Sequence, residues 1–356
     1  MVPENSSKNI LVAPLNWGLG HATRCIPIIR ALEQNGFTPI LASDGIALQM
    51  LRKEFPHLTA LELPSYEITY AKKGSNFKWK MLKNMPTMIE AVLNEKKLVK
   101  SWVKKYDLVG IISDNRLGVF SKKVQSVFIT HQLNVLTGNT TWISSKMHQQ
   151  VIKKYDECWV PDFEEKPNLT GKLGHMKKPD PRIKYIGPLS RFEKKSLPQK
   201  YDLMAILSGP EPQRTYLEEI LKEKLPKFDG KVVFIKGIID SAQKIEQSGN
   251  ITLYNFMATE ELEQTFNESK QVLCRSGYTT IMDLAKLGKK AFFIPTPGQY
   301  EQEYLARKLK RDGFVPYVRQ QDFQVENLLQ IDIFKGFQTT ESKIHWKNLF
   351  CLFERK

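Results

Sequence analysis

Short apolar runs alternate with longer amphipathic stretches along almost the whole chain. "KNILVAPL" predicts a strand, and residues 21–34 after it place their apolar side chains at helical spacing. "TPILASD", "GIALQMLRKEF" and "LTALELP" repeat strand, helix and strand. After a long helical insert, strands return at "DLVGIISD", "VQSVFITH", "ECWVPD" and "IKYIGPL". The polar, aperiodic stretch "SRFEKKSLPQKY", residues 190–201, predicts a linker. A second series follows, with strands at "DLMAILSG", "KVVFIKGI", "ITLYNF", "KQVLCRSG" and "KAFFIPTP" and helices at "QRTYLEEILKEKL", "TEELEQTFN", "TTIMDLAKLG" and "EQEYLARKLKRDG". Short strands rich in β-branched residues and separated by helices imply parallel sheets covered on both faces. The expectation is an α/β protein of two Rossmann-like, doubly wound domains, residues 1–190 and 191–340. The tail, 341–356, is expected to form a last helix that crosses back to the first domain or caps the second. Tandem domains of this kind set a ligand cleft between them, at the carboxyl ends of the facing strands.

A length of 356 residues suits two such cores. Hydrophobic residues make up 41% and charged residues 26%, the balance of a soluble globular protein. No apolar run approaches the roughly 20 residues of a spanning helix, and "MVPENSSKNILVAPL" lacks a signal-peptide pattern. A cytoplasmic location is expected, with a peripheral position on the inner face of a membrane as its extension. Cys25, Cys158, Cys274 and Cys351 lie far apart, which signals neither a zinc site nor a disulfide framework. The formal charge is +15, of which +11 falls in residues 1–190. That excess favours an anionic partner: a phosphate-bearing substrate, an anionic lipid surface or a nucleic acid.

The loop "NWGLGHATR" joins the first strand to the first helix. Gly18 and Gly20 give G-x-G, but Thr23 replaces the third glycine of a dinucleotide fingerprint. Asp44, at the end of the second strand, is the residue that would hold a ribose in that reading. The loop also sets His21 in the first turn of a helix, where the dipole disfavours imidazolium and keeps the ring able to accept a proton. Asp114 ends "DLVGIISD" on the same rim, where it could orient His21 as a general base. The plainer alternative is a helix-capping histidine beside a loop-capping aspartate.

In the second domain a strand ends at Arg275, Ser276 and Gly277 turn, and Tyr278, Thr279 and Thr280 open a helix. Free N–H groups and hydroxyls there suit a diphosphate. Asp283, one turn on, could accept hydrogen bonds from ribose hydroxyls, and Glu301 and Gln302 at the next helix start could read sugar hydroxyls. "LSGPEPQR" places Ser208, Gly209 and Arg214 near the expected phosphate but lacks the Lys-Ser/Thr ending of a P-loop. The alternative for each is an ordinary capped helix. No D-x-D pair occurs in the sequence, so helix ends and positive groups, rather than a metal, are expected to neutralise a leaving diphosphate.

On these residues the chain resembles glycosyltransferases of the GT-B fold, in the group that contains the lipid-linked N-acetylglucosaminyltransferase of peptidoglycan synthesis. "GLGHATR" is similar to that family's amino-terminal glycine loop, and "RSGYTTIMD" keeps its spacing from Arg275 to a ribose-binding acid, here Asp283 in place of glutamate. "YEQE" stands where the family places its sugar-binding pair, Glu301 and Gln302. The resemblance adds Met257, in "YNFMATEEL", to the uracil pocket, and His131 and Asn134, in "THQLN", to the acceptor side. It implies transfer of a hexose or N-acetylhexosamine from a UDP-sugar to a hydroxyl acceptor, lipid-linked in some relatives, by a metal-independent inverting displacement without a cofactor. Asn16 and Trp17 depart from the peptidoglycan enzyme's loop, so its acceptor is not carried over. A UDP-sugar epimerase or a non-catalytic UDP-sugar binder on the same fold are the alternatives.

Residues 71–105 hold ten lysines against Glu90 and Glu95. Ile89, Val92, Leu93, Leu98, Val99, Trp102 and Val103 make an apolar stripe beside a lysine face. Burial of the stripe against the first domain accounts for it. The sharper reading is a membrane-surface patch, with Phe77 and Trp79 at headgroup depth. No motif or aromatic spacing for nucleic-acid binding accompanies the charge.

Overall fold

The computed structural model describes residues 8–66, 77–135, 141–178, 180–238, 240, 242–338 and 344–354, with backbone alone for residues 77–85 and 143. These residues divide into two compact units, one running to Arg191 and taking in 344–354, the other running from Phe192 to 338.

Unit 1 is built on seven strands: β1 (Asn9–Pro14), β2 (Thr38–Ser43), β3 (Ala60–Glu62), β4 (Leu108–Asp114), β5 (Gln125–Ile129), β6 (Glu157–Val160) and β7 (Ile183–Tyr185). Their order is β3-β2-β1-β4-β5-β6-β7 and every pairing is parallel. The chain moves outward from β1 to β3, then returns to the other side of β1 with β4. The order therefore reverses between β1 and β4, where a doubly wound sheet opens a crevice at its carboxyl edge. The helices are α1 (Gly20–Gln34), α2 (Gly45–Glu54), α3 (Phe77–Lys105) and α4 (Thr141–Ile152). Alternate strand residues face opposite sides. Leu11, Ala13 and Ile111 pack with Val99 and Trp102 of α3. Ile10 and Gly110 look the other way, and there the tail helix α9 (Trp346–Phe350) and the 3-10 turn after it close the core. Phe350 and Phe353 meet Phe37 and Trp159 edge-on or tilted, and Lys8 pairs with Glu354. The tail thus completes unit 1.

The expected stripe of α3 packs on unit 1 through Val92, Leu98, Val99, Trp102 and Val103, but not through Ile89 and Leu93. Ala91, Glu95, Val99 and Trp102 are the buried positions, while Ile89 and Leu93 are 55% and 50% exposed. Phe77 and Trp79 lie in the part of α3 described by backbone alone, and residues 71–76 lie outside the described residues. No helix among the described residues is long and apolar enough to cross a membrane.

Unit 2 opens on the expected linker, which carries no helix or strand before Tyr201 but seats Phe192 against Phe266. Its strands are β8 (Tyr201–Ile206), β9 (Val232–Ile235), β10 (Ile245–Ser248), β11 (Ile251–Tyr254), β12 (Ser269–Cys274) and β13 (Lys290–Phe293), in the order β10-β11-β9-β8-β12-β13. All pairings are parallel except β10 with β11. Helices α5 (Gln213–Lys224), α6 (Thr259–Glu268), α7 (Tyr278–Leu287) and α8 (Tyr300–Arg311) connect them. Here the order reverses between β8 and β12. The loops after those two strands carry Ser208–Gly209 and Arg275–Gly277.

Candidate active site

His21 lies in the first turn of α1, immediately past β1, and Asp114 is the last residue of β4; Asp114 pairs in register with Pro14 at the reversal point of the sheet. His21 Nδ1 is 2.9 Å from Asp114 Oδ1. Gly18, at φ +75°, gives the loop a left-handed turn that a β-carbon would strain. The His21 side chain keeps 13% of its surface exposed, and Asp114 none. Burial lowers the affinity of His21 for a proton, Arg24 lowers it further, and Asp114 opposes both; the net direction is down. Burial alone would raise Asp114, but Arg24 and His21 together hold its carboxyl well below the usual range. A neutral ring that donates Nδ1–H to an ionised carboxylate carries its lone pair on Nε2. That is the geometry of a general base.

Arg24 is the member the sequence reading passed over. Its Nε donates to Asp114 Oδ2 at 2.5 Å, its Nη2 donates to Oδ1, and its Nη1 is 3.0 Å from His131 Nδ1. One signal was present: an arginine three residues after His21, on a helix face it shares with His21 and the fully buried Ile28. His131 thereby joins the same cluster. Asn134 does not, because its amide donates to the Lys172 and His175 carbonyls and ties two loops together. Asp44 is engaged elsewhere, with Arg116 on one oxygen and the amide of Asn16 on the other. Arg116 also bonds Glu95 of α3 at 2.7 Å, and Tyr66 donates to the same carboxylate. Gly18 and Gly20 therefore lead into an acid–base cluster, and Asn16 braces the loop from behind.

In unit 2, Gly277 caps α7 with extended backbone and no side-chain cap, followed by buried Tyr278 and half-buried Thr279 and Thr280. Ser208 and Gly209 are exposed on the neighbouring loop, where Gly209 adopts φ +106°. Several predicted ligands turn out to be braces. Ser276 is fully buried and donates to the Gln302 carbonyl at 2.8 Å. Arg214 is paired with Glu211 and Glu218, so its charge is already met. Arg275 is 1% exposed; it donates to the carbonyls of Ile294, Pro295 and Gln213 and to Gln320 Oε1. These partners are neutral, and burial pushes the guanidinium down to about 10. Arg275 therefore leaves a positive charge beneath the start of α7 while it ties three loops together. Gln302 Oε1 accepts from the Thr296 N–H at 2.8 Å, which fixes its NH2 as the outward end. Met257 sits half-buried after β11, and Thr265 donates to its sulfur. Asp283 and Glu301 are half-buried on α7 and α8.

Residues 214–341 match the glycosyltransferase family 28 C-terminal domain. Over 337 residues the chain is 24% identical to the UDP-N-acetylglucosamine--N-acetylmuramyl-(pentapeptide) pyrophosphoryl-undecaprenol N-acetylglucosamine transferase of Glaesserella parasuis, covering 91% of this chain and 88% of that one. The structure is similar to MurG of Acinetobacter baumannii, with a TM-score of 0.57, 14% identity and coverage of 98% and 100%. It is also similar to the kitacinnamycin glycotransferase, with a TM-score of 0.63, 13% identity and coverage of 98% and 94%. This chain is a glycosyltransferase of the GT-B fold. In this glycosyltransferase the family match falls on the unit with the braced α7 start, while the histidine–aspartate pair lies in the other unit.

Proposed function

We propose that this glycosyltransferase moves a hexose or N-acetylhexosamine from a UDP-sugar to a hydroxyl acceptor by a single inverting displacement that needs no metal. His21 Nε2 takes the proton of the acceptor hydroxyl, whose oxygen attacks the anomeric carbon. The bond from that carbon to the diphosphate breaks, and its electrons leave with UDP. The observation that carries this reading is the His21–Asp114 pair, whose 2.9 Å contact engages Nδ1 and leaves Nε2 as the ring nitrogen for the acceptor's proton. The named transferase relatives support the donor and a lipid-linked acceptor. Unit 2 supports the donor by its chemistry: the α7 start offers backbone N–H groups to a diphosphate above the charge of Arg275. Thr279 and Thr280 add hydroxyls, Asp283 suits the ribose, Met257 the uracil, and Glu301 with Gln302 the sugar.

The test is transfer from labelled UDP-sugars to hydroxyl acceptors, with donor binding measured separately by calorimetry. His21→Ala is expected to lower turnover at least 100-fold while leaving UDP affinity within about twofold. Unchanged turnover would remove His21 as the base. Conversion of the donor to an epimer without any acceptor would replace transfer by epimerisation.

A further inference from the structure

We propose that Arg24 is a positioning residue for the transfer: its guanidinium, set among His21, Asp114 and His131, decides which ring nitrogen of each histidine carries the proton. The inference rests on the reading of His21 as the proton acceptor and extends it to a residue that the dyad alone does not require.

Three observations lead there. Arg24 is 2% exposed and follows His21 by three positions on α1, which puts both side chains on one helical face. Its fork faces three groups at once. Nε and Nη2 engage the two oxygens of Asp114, Nη1 lies 3.0 Å from His131 Nδ1, and Nη2 lies 2.8 Å from His21 Nδ1. Finally, guanidinium offers donors and no acceptor and does not deprotonate in proteins.

The consequences differ for the two rings. Facing an obligate donor, His131 Nδ1 serves as an acceptor, which places the ring N–H of His131 on Nε2. It presents a fixed N–H rather than a base. At His21 the 2.8 Å approach of Nη2 to Nδ1 is different, because Nη2 gives its N–H to Asp114 Oδ1, the oxygen that Nδ1 itself meets at 2.9 Å. His21 then donates Nδ1–H to that oxygen, and Nε2 keeps the lone pair. Charge reinforces geometry. A lone buried carboxylate would draw a proton onto His21 and make the ring imidazolium. With Arg24 bound across it, Asp114 orients the ring without protonating it. The groups facing His21 are Arg24 on α1, Asp114 on β4 and His131 beyond β5. Cys25 meets the far oxygen of Asp114 at 3.6 Å, and His148 of α4 faces His131.

The test compares wild type with Arg24→Gln and Arg24→Lys, using ring-labelled histidine and an NMR pH titration alongside steady-state kinetics. In Arg24→Gln the His21 midpoint should rise by about one pH unit. The acid limb of the turnover profile should move up by the same amount, so that turnover lost at low pH recovers as pH is raised, with donor KM unchanged. A merely structural role would lower turnover equally at every pH. Should Arg24→Gln fail to fold, Arg24→Lys retains the charge but loses the fork. It should leave the His21 midpoint in place and still lower turnover at least tenfold. A folded Arg24→Gln with an unmoved midpoint, or Arg24→Lys with wild-type turnover, overturns the proposal. The titration needs no substrate, so absence of transfer would refute the reaction while leaving the Arg24 placement to stand or fall by the midpoint.

Discussion

Arg275 shows how a residue can be found by pattern and mistaken in its task. The motif from Arg275 to Asp283 was visible as letters, but the sequence holds no sign that the guanidinium would be turned beneath the loop onto backbone carbonyls. Arg214 and Ser276 mislead in the same way, since their nearest polar partners come from Glu218 and from α8. By contrast the pairing of His21 with Asp114 was legible, because a parallel sheet places the ends of β1 and β4 on one rim whatever the rest does. Arg275→Lys keeps the charge but cannot reach all three loops, and is expected to raise the UDP-sugar Kd about tenfold, or about 1.4 kcal/mol by calorimetry. Gln302→Glu puts a carboxylate oxygen where the amide donated, so donor KM should rise while UDP alone binds as before. The lowered proton affinity of His21 fixes a sign. The base is neutral above its own midpoint, so kcat/KM should hold level down through pH 6.5, the ordinary histidine value, and decline only below it. A decline that begins above pH 6.5 would contradict the neutral-ring assignment.

At the scale of elements, periodicity located most strands and helices, and the misses share a cause. β10 lies at a sheet edge with all four residues exposed, so it has no apolar face for a pattern to reveal. α4, "TWISSKMHQQVI", buries Ser145 and Ile152 beneath a largely polar run. α3 was recognised as a helix and most of its inner stripe was legible, but Glu95 was missed there, because it occupies a core position that hydrophobic patterning assigns to solvent. That carboxylate is 0% exposed and accepts from Arg116, Tyr66 and the Gly118 N–H, with burial raising its affinity for a proton against the pull of Arg116. Removing it takes one of two carboxylates from the buried Arg116, which keeps Asp44, and deprives the Tyr66 hydroxyl and the Gly118 N–H of their acceptor. Glu95→Ala is expected to cost about 3–5 kcal/mol in urea unfolding, far more than an exposed lysine-face substitution such as Lys97→Ala. Equal effects would show that the network carries no stability.

For the molecule as a whole, the division into two α/β units was legible, and so was the return of the tail as one of two stated possibilities. Its destination was not, because aromatic residues at 350 and 353 fit either core equally well on composition. The deciding feature lies far away in sequence: at Gly110 a β-carbon would sit 2.2 Å from the Phe353 ring, so β4 is cut away where the tail lands. The exposed Ile89 and Leu93 lie on a helix rich in lysine, and flotation with anionic vesicles at low salt tests the membrane-surface reading: no recovery ends it. Ile89→Ser with Leu93→Ser should abolish recovery without lowering the melting temperature by more than a degree or two. The seat of Phe353 also governs the order in which the protein can mature. A ribosome has already delivered all of the second unit before it delivers the side chains that roof the first. Until then Phe37 and Trp159 face water, so a nascent chain halted near residue 340 should bind hydrophobic-surface dyes and chaperones that the finished protein ignores.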